Sequence, residues 1–202
     1  HGCVTACVAL ASSDLGTDLG AWSSGTLYLL YTLCALLGAN AIVHYTGAKY
    51  GIASALLFYC AYIASFIVAR KTDGEVKWVS AVLGSVIGGV AAGYLWTAQG
   101  PFMQAAAQLY APFVEDDKSD QLLKKSERMS TARLKANSLF AALFGCVYLL
   151  AESFMKVLST WIPTQFDGGE TTVYVVFTII SVLSAFAMVF VSDLTAVVRA
   201  SK

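Results

Sequence analysis

Long apolar runs separated by short polar clusters set the pattern of this chain. The longest uncharged run is 78–111, WVSAVLGSVIGGVAAGYLWTAQGPFMQAAAQLYA, with 34 positions and no acidic or basic side chain. At ~1.5 Å per helical residue it reaches about 50 Å, more than a ~30 Å hydrocarbon core requires. Four other runs are long enough to cross a bilayer: 24–45, 50–69, 136–162 and 172–198. Residues 1–12, HGCVTACVALAS, are apolar but too short to span, and read as the tail of a helix that begins upstream. The predicted fold is an all-α integral membrane bundle of five to six antiparallel transmembrane helices, a single membrane domain over 1–202.

The polar clusters supply the connections. SDLGTDLG at 13–20 reads as an acidic, turn-rich loop in which Asp18 caps the first full span. Trp22, Tyr28 and Tyr31 then fall near one end of that span, where amphipathic rings favour the interface. TGAKYG at 46–51 is short enough only for an antiparallel return, and RKTDGEVK at 70–77 is a charged loop around Gly74. Pro163 and Asp167–Gly168–Gly169 interrupt the chain between the last two spans, and 172–198 reads as a lipid-facing helix. The one sizeable polar segment, 112–135, mixes both signs of charge with a weak apolar face at Leu122, Leu123 and Met129. It reads as a solvated linker on the bilayer surface, or as a docking site for a partner.

Inside 78–111, Gly84 and Gly88 are four apart, as are Gly89 and Gly93. In lipid this spacing lets helix backbones approach closely, so the span is expected at the centre of the bundle or against a partner. Pro101 follows Gly100 and lacks a backbone donor, which predicts a kink or a helix end. A bent helix would present Trp96 and Gln99 to a cavity or partner.

Composition agrees with the pattern. Hydrophobic residues make up 57% and charged residues only 13%, with a mean hydropathy of +0.67; soluble domains carry about 25% charge. Thirteen basic and thirteen acidic residues cancel, which gives no footprint for nucleic acid. The five cysteines, Cys3, Cys7, Cys34, Cys60 and Cys146, show no metal-ligand spacing and read as small packing residues. Charge also orients the bundle. With alternating spans, Lys49, the 112–135 segment and the C-terminal tail share one side and hold nine basic residues, against Arg70, Lys71 and Lys77 opposite. The excess places 112–135 and the C-terminus on the cytosolic-equivalent side.

No catalytic motif is present: the chain lacks G-x-S-x-G, H-E-x-x-H, C-x-x-C and a phosphate loop, and no enzyme activity is expected. Glu152 most needs a reason, because a lone carboxylate at a helix centre costs roughly 2.5–3.5 kcal/mol on insertion scales. Lys156, one turn on, can pair with it. The alternative is that Glu152 faces a cavity, a partner or a cofactor. His44 reads as an interfacial residue or as a cofactor ligand. Gln99, Gln104 and Gln108 read as interhelical hydrogen-bonding groups.

Leu95–Gly100, LWTAQG, followed by Gln108–Ala111, QLYA, resembles the L-W-x-A-Q-G…Y-A signature of the uncoordinated-93-like branch of the major facilitator superfamily. TGAKYG resembles the superfamily's Gly-x-Lys cytoplasmic turn, although the acidic and arginine residues that complete that motif are absent after Gly47. The order of spans is similar to the six-helix N-terminal half, and the resemblance covers roughly 5–162. It implies a half-length major-facilitator-like bundle, in a branch that includes channel-regulating and receptor-trafficking proteins; the superfamily's transport pathway needs two such halves.

Two functions follow as expectations. One is a non-enzymatic accessory or scaffold subunit embedded in the lipid bilayer among other integral membrane subunits of a photosynthetic or respiratory complex. Chlorophyll, carotenoid or lipid would fill its gaps; in a thylakoid host His44, Gln99, Gln104 or Glu152 would ligate chlorophyll magnesium. Gly84, Gly88, Gly89, Gly93, Trp96, Gln99, Pro101 and Lys156 would serve partner or cavity contacts. The other is a small-molecule transporter with Trp96, Gln99 and Glu152 along its pathway. A weaker third is a trafficking chaperone that docks through 112–135.

Overall fold

The computed structural model describes residues 1–114, 125–166 and 169–200. Its helices are α1 (Gly2–Leu15), α2 (Thr17–Leu37), α3 (Ala39–Thr46), α4 (Ala48–Lys71), α5 (Gly74–Val114), α6 (Lys125–Gln165), α7 (Gly169–Phe190) and α8 (Leu194–Ala200). No strand occurs among the described residues. Five helical stretches are long and apolar enough to cross a membrane: α2, α4, α5, α6 from Met129, and Gly169–Val198. α1, at 14 residues, is not.

Most spans fall where the apolar runs predict, and the differences lie at the breaks. The expected loop at 13–20 is almost all helix: α1 runs to Leu15 and α2 starts at Thr17, with only Gly16 between them. A φ of +99° at Gly16, which side chains with a Cβ rarely adopt, reverses the chain in one residue. The first full span therefore begins seven residues earlier than 24, and this moves Tyr28 and Tyr31 from the end of the span toward its middle. Gly38 separates α3 from α2 and Gly47, at φ +85°, makes the return into α4. Pro101 does not end its helix. Both Pro101 and Pro112 lie inside α5, which continues to Val114. Of the polar segment 112–135, residues 125–135 form the first turns of α6 rather than a separate surface element; Leu122 and Leu123 lie outside the described residues. The last span divides at 191–193, where the Asp193 carboxylate accepts hydrogen bonds from the Thr195 hydroxyl and the Ala196 N–H at the start of α8.

α5 is the central helix, packed against α2, α3, α4, α6 and α8. Its glycines are the cause. A Cβ on Gly84 would collide with Ser65, and one on Gly88 would lie 2.8 Å from the Tyr62 ring, so this pair faces α4. A Cβ on Gly89 would lie 2.7 Å from Leu30 Cβ, and one on Gly93 2.8 Å from Cys34 Cβ, so the second pair faces α2. The close approach expected from the glycine spacing is thus made to two helices of the same chain. α4 and α5 run antiparallel, and Gly51 and Ala98 meet toward the far end of the same seam.

The core is aromatic. Tyr59, Tyr62, Ile63 and Phe66 of α4 are fully buried, with Val173, Tyr174 and Phe177 of α7 opposite. Phe66 stacks on Tyr174 with centroids 5.5 Å apart and meets Tyr62 edge-on at 5.0 Å. The expectation of a lipid-facing last helix is therefore corrected for one side of α7. Val173, Tyr174, Phe177, Ser181 and Ala185 recur at helical spacing and form a buried stripe, while Ile179, Val182, Leu183 and Phe186 face outward.

Ion pairs pin one end and a hydrogen bond the other. Arg70, ending α4, pairs with Asp14 near the end of α1 and, at 3.1 Å, with Glu170 at the start of α7. At the opposite end Lys49 donates to the Val189 carbonyl at 3.0 Å. α4 and α7 are therefore antiparallel, and α1 hangs from the Arg70 end.

Candidate functional site

α1 is tied at Asp14, and His1 lies opposite the middles of α4, α5 and α6. His1 sits there among aromatic rings. Its imidazole centroid is 5.8 Å from Tyr59, 5.3 Å from Trp96 and 5.5 Å from Tyr148, and Nδ1 lies 3.3 Å from the Tyr59 hydroxyl. Trp96 also meets Tyr148 at 5.7 Å and Phe144 at 6.2 Å, both near edge-on.

Beside this cluster is a cavity of about 320 Å³. His1 itself lines it, α1 adds Val4, Thr5 and Val8, α2 contributes Leu27, Tyr28 and Tyr31, and the back wall is Tyr59, Ala92 and Trp96. α6 closes the far side with Tyr148 and Glu152. α2 and α6 do not pack on each other, so the cavity lies between them and is spanned by α1 on the Asp14 side. Tyr28 stands on the lipid-facing edge, more than half exposed.

Glu152 is the only acidic residue of this wall. Lys156 donates to Glu152 Oε1 at 2.7 Å, one turn toward the Arg70 end. The Lys156 side chain is 50% exposed and Glu152 only 20%, so the carboxylate belongs to the cavity and the ammonium to its rim. Tyr148, Glu152 and Lys156 are spaced four apart and occupy one face of α6, with the Tyr148 phenol beside the carboxylate. Glu152 is paired with Lys156 and also lines the cavity.

The structure joins Trp96 and Glu152, which the sequence singled out separately, and leaves the other candidates apart. Gln99 is half-buried one turn beyond Trp96 and does not line the cavity. Gln104 and Pro101 are exposed on the outer half of α5. His44 is exposed on α3, its ring edge-on to Tyr45 at 5.8 Å. The four residues considered as pigment ligands do not converge: Glu152 faces the cavity, while His44 and Gln104 face outward. Tyr59, Tyr148 and His1 escaped the sequence reading. The signal for Tyr148 was there, since it precedes Glu152 and Lys156 at the same four-residue interval. Among the described residues no group of three His, Cys, Asp or Glu side chains is arranged to hold a metal ion.

The fold defines an all-α protein with helices suited to a membrane and an aromatic cavity at half depth. No family model, curated protein or solved structure matches the chain.

Proposed function

We propose that this chain is a non-enzymatic, membrane-embedded accessory or scaffold subunit of a larger membrane complex, with a photosynthetic or respiratory assembly as the host. The observation that carries the reading is the character of α6. None of its most apolar stretch is buried, although it is one of the two longest helices. Leu143, Val147, Leu150, Phe154 and Val157 form a broad outer face, suited to lipid on one side and neighbouring subunits on the other. A cavity walled by aromatic rings suits an amphipathic guest, a lipid or pigment, that fills space within the assembly. The resemblance of the sequence to a major-facilitator half-bundle favours the same reading. Two of the segments that carry the resemblance, TGAKYG and LWTAQG, lie against each other, with Gly51 on Ala98. In this topology Lys49 and the start of α6 fall at one end, which becomes the cytosolic-equivalent side by its basic excess.

Gentle-detergent extraction from native membranes, native-gel separation and mass spectrometry of the band test the reading. Co-migration with a large complex at fixed stoichiometry is the expected result; migration as an isolated longer polypeptide overturns it.

A transporter is the second reading, favoured by one observation: Trp96 and Glu152 line a single cavity at half depth, where such proteins bind substrate. It requires a second half-bundle, covalent or as a two-fold partner, facing the open side between α2 and α6.

A further inference from the structure

We infer that the groove between the α1–α2 turn and the start of α5 seats a zwitterionic phospholipid headgroup, its phosphate on Lys77 and its ammonium on Asp18. The site is separate from the aromatic cavity and goes beyond the accessory-subunit reading.

The first argument is depth. Trp22 lies just inside the start of α2, Trp78 just inside the start of α5 and Trp161 just before the end of α6, and all three are exposed. α5 follows α4, and α7 follows α6, at the Arg70 end of the bundle, so the three indoles lie toward one end. Exposed indole rings of spanning helices favour the headgroup level of a bilayer. The groove, of about 390 Å³, opens beside this belt, with Trp78 in its wall.

The second argument is charge. The groove is lined by residues 15–19, Gly74, Lys77 and Trp78, and its charged groups are Asp18 and Lys77. Neither has an ion-pair partner among the described residues, whereas Arg70 engages Asp14 and Glu170 at the same end. A Cβ on Gly16 or Gly74 would meet nothing within 4 Å, so both turns leave the space open. Opposite charges held apart on one groove match a ligand that carries both. The Lys77 ammonium donates to the phosphate, and the headgroup ammonium donates to the Asp18 carboxylate beside the Trp78 ring. An anionic headgroup would be repelled by Asp18, with Asp73 and Glu75 exposed near Lys77, and an uncharged one would leave both groups unused.

The third argument is a place for the acyl chain. Asp18, Trp22, Gly25 and Leu29 recur at helical spacing along one face of α2. A second groove, of about 300 Å³, is lined there by Ala21, Trp22, Gly25, Thr26 and Leu29, one turn deeper than Asp18. A Cβ on Gly25 would meet nothing within 4 Å, unlike those on the α5 glycines that face α2 and α4. The side chain missing at Gly25 therefore admits an acyl chain rather than another helix of this chain.

The test uses the full chain in detergent, titrated with lipid and read by native mass spectrometry. Palmitoyl-oleoyl phosphatidylethanolamine is compared with phosphatidylglycerol and diacylglycerol of the same chains. The expected result is a first-bound phosphatidylethanolamine about tenfold tighter than either counterpart, a margin typical of a charge-assisted contact. Lys77→Gln should erase that margin. Asp18→Asn should weaken phosphatidylethanolamine yet strengthen phosphatidylglycerol, because the phosphate seat remains while the repelling carboxylate is gone. Lys71→Gln, exposed and outside the groove, should change neither affinity. Gly25→Leu should weaken phosphatidylethanolamine while the order of headgroups stays the same. Equal affinities for the three lipids, or unchanged selectivity in Asp18→Asn, overturns the proposal. Displacement of the lipid by an equal concentration of phosphorylethanolamine, the headgroup without its chains, would assign the groove to a soluble solute and overturn the lipid reading.

Discussion

Replacing Gly89 with Ala adds one methyl group at the tightest part of the α2–α5 seam. The new Cβ would lie 2.5 Å from the Leu27 carbonyl oxygen, 2.7 Å from Leu30 Cβ and 3.0 Å from the Tyr31 nitrogen. Two of these neighbours are backbone, so no rotamer change relieves them and α2 itself must move. An ordinary carbon–oxygen approach is ~3.3 Å, which requires about 0.8 Å of displacement. Overpacking of this kind costs about 1–3 kcal/mol, partly offset by the ~1 kcal/mol by which Ala exceeds Gly in a helix. The net expectation is a loss of up to about 2 kcal/mol. Gly100→Ala is the control, since a Cβ there meets nothing within 4 Å and the gain in helix propensity acts alone. The assay is thermal unfolding in detergent followed by reaction of buried thiols with a fluorogenic maleimide. Cys34 adds a local report, because its Sγ packs 3.7 Å from the Val90 carbonyl in the same seam and should label faster once α2 moves. Gly89→Ala melting at or above the temperature of Gly100→Ala, with Cys34 labelling unchanged, would refute the account of α5 as a helix held between α2 and α4 by its glycines.

Other perturbations follow from the same structure. Arg70→Leu strands the Asp14 carboxylate, whose side chain is 3% exposed, and should cost about 3 kcal/mol or more. Arg70→Leu/Asp14→Leu should recover most of it in the same melt. Phe66→Ala removes a fully buried ring between Tyr62 and Tyr174 and should cost about 3–5 kcal/mol, whereas Phe154→Ala on the outer face of α6 should change the melt little. Glu152→Leu should leave insertion intact, since Lys156 can reach the interface, yet strip the guest from the extracted assembly; mass spectrometry of extracted lipids and pigments measures this.

The pattern along the chain was enough to determine five helices long and apolar enough to cross a bilayer, because the free energy of placing 20 or more apolar residues in lipid is local and additive. It also determined that α5 is central and that Glu152 needs a partner, since glycine spacing and a buried charge carry their consequences in one helix. Break points were less legible. Gly16 and Gly38 stop helices while Pro101 does not, because neighbouring helices decide whether an interrupted ladder is tolerated. The seven-residue shift at Gly16 moved Tyr28 and Tyr31 from an expected interface to a cavity wall. Only the tertiary structure determined what the glycines pack against and which face of α7 is core. The cavity depended on it most of all. Trp96 and Glu152 are 56 positions apart, and their meeting rests on Arg70 anchoring α1, on α2 standing clear of α6, and on α5 forming the wall between them. Such relations between helices depend on side-chain packing at every seam at once, and no single stretch of sequence contains them.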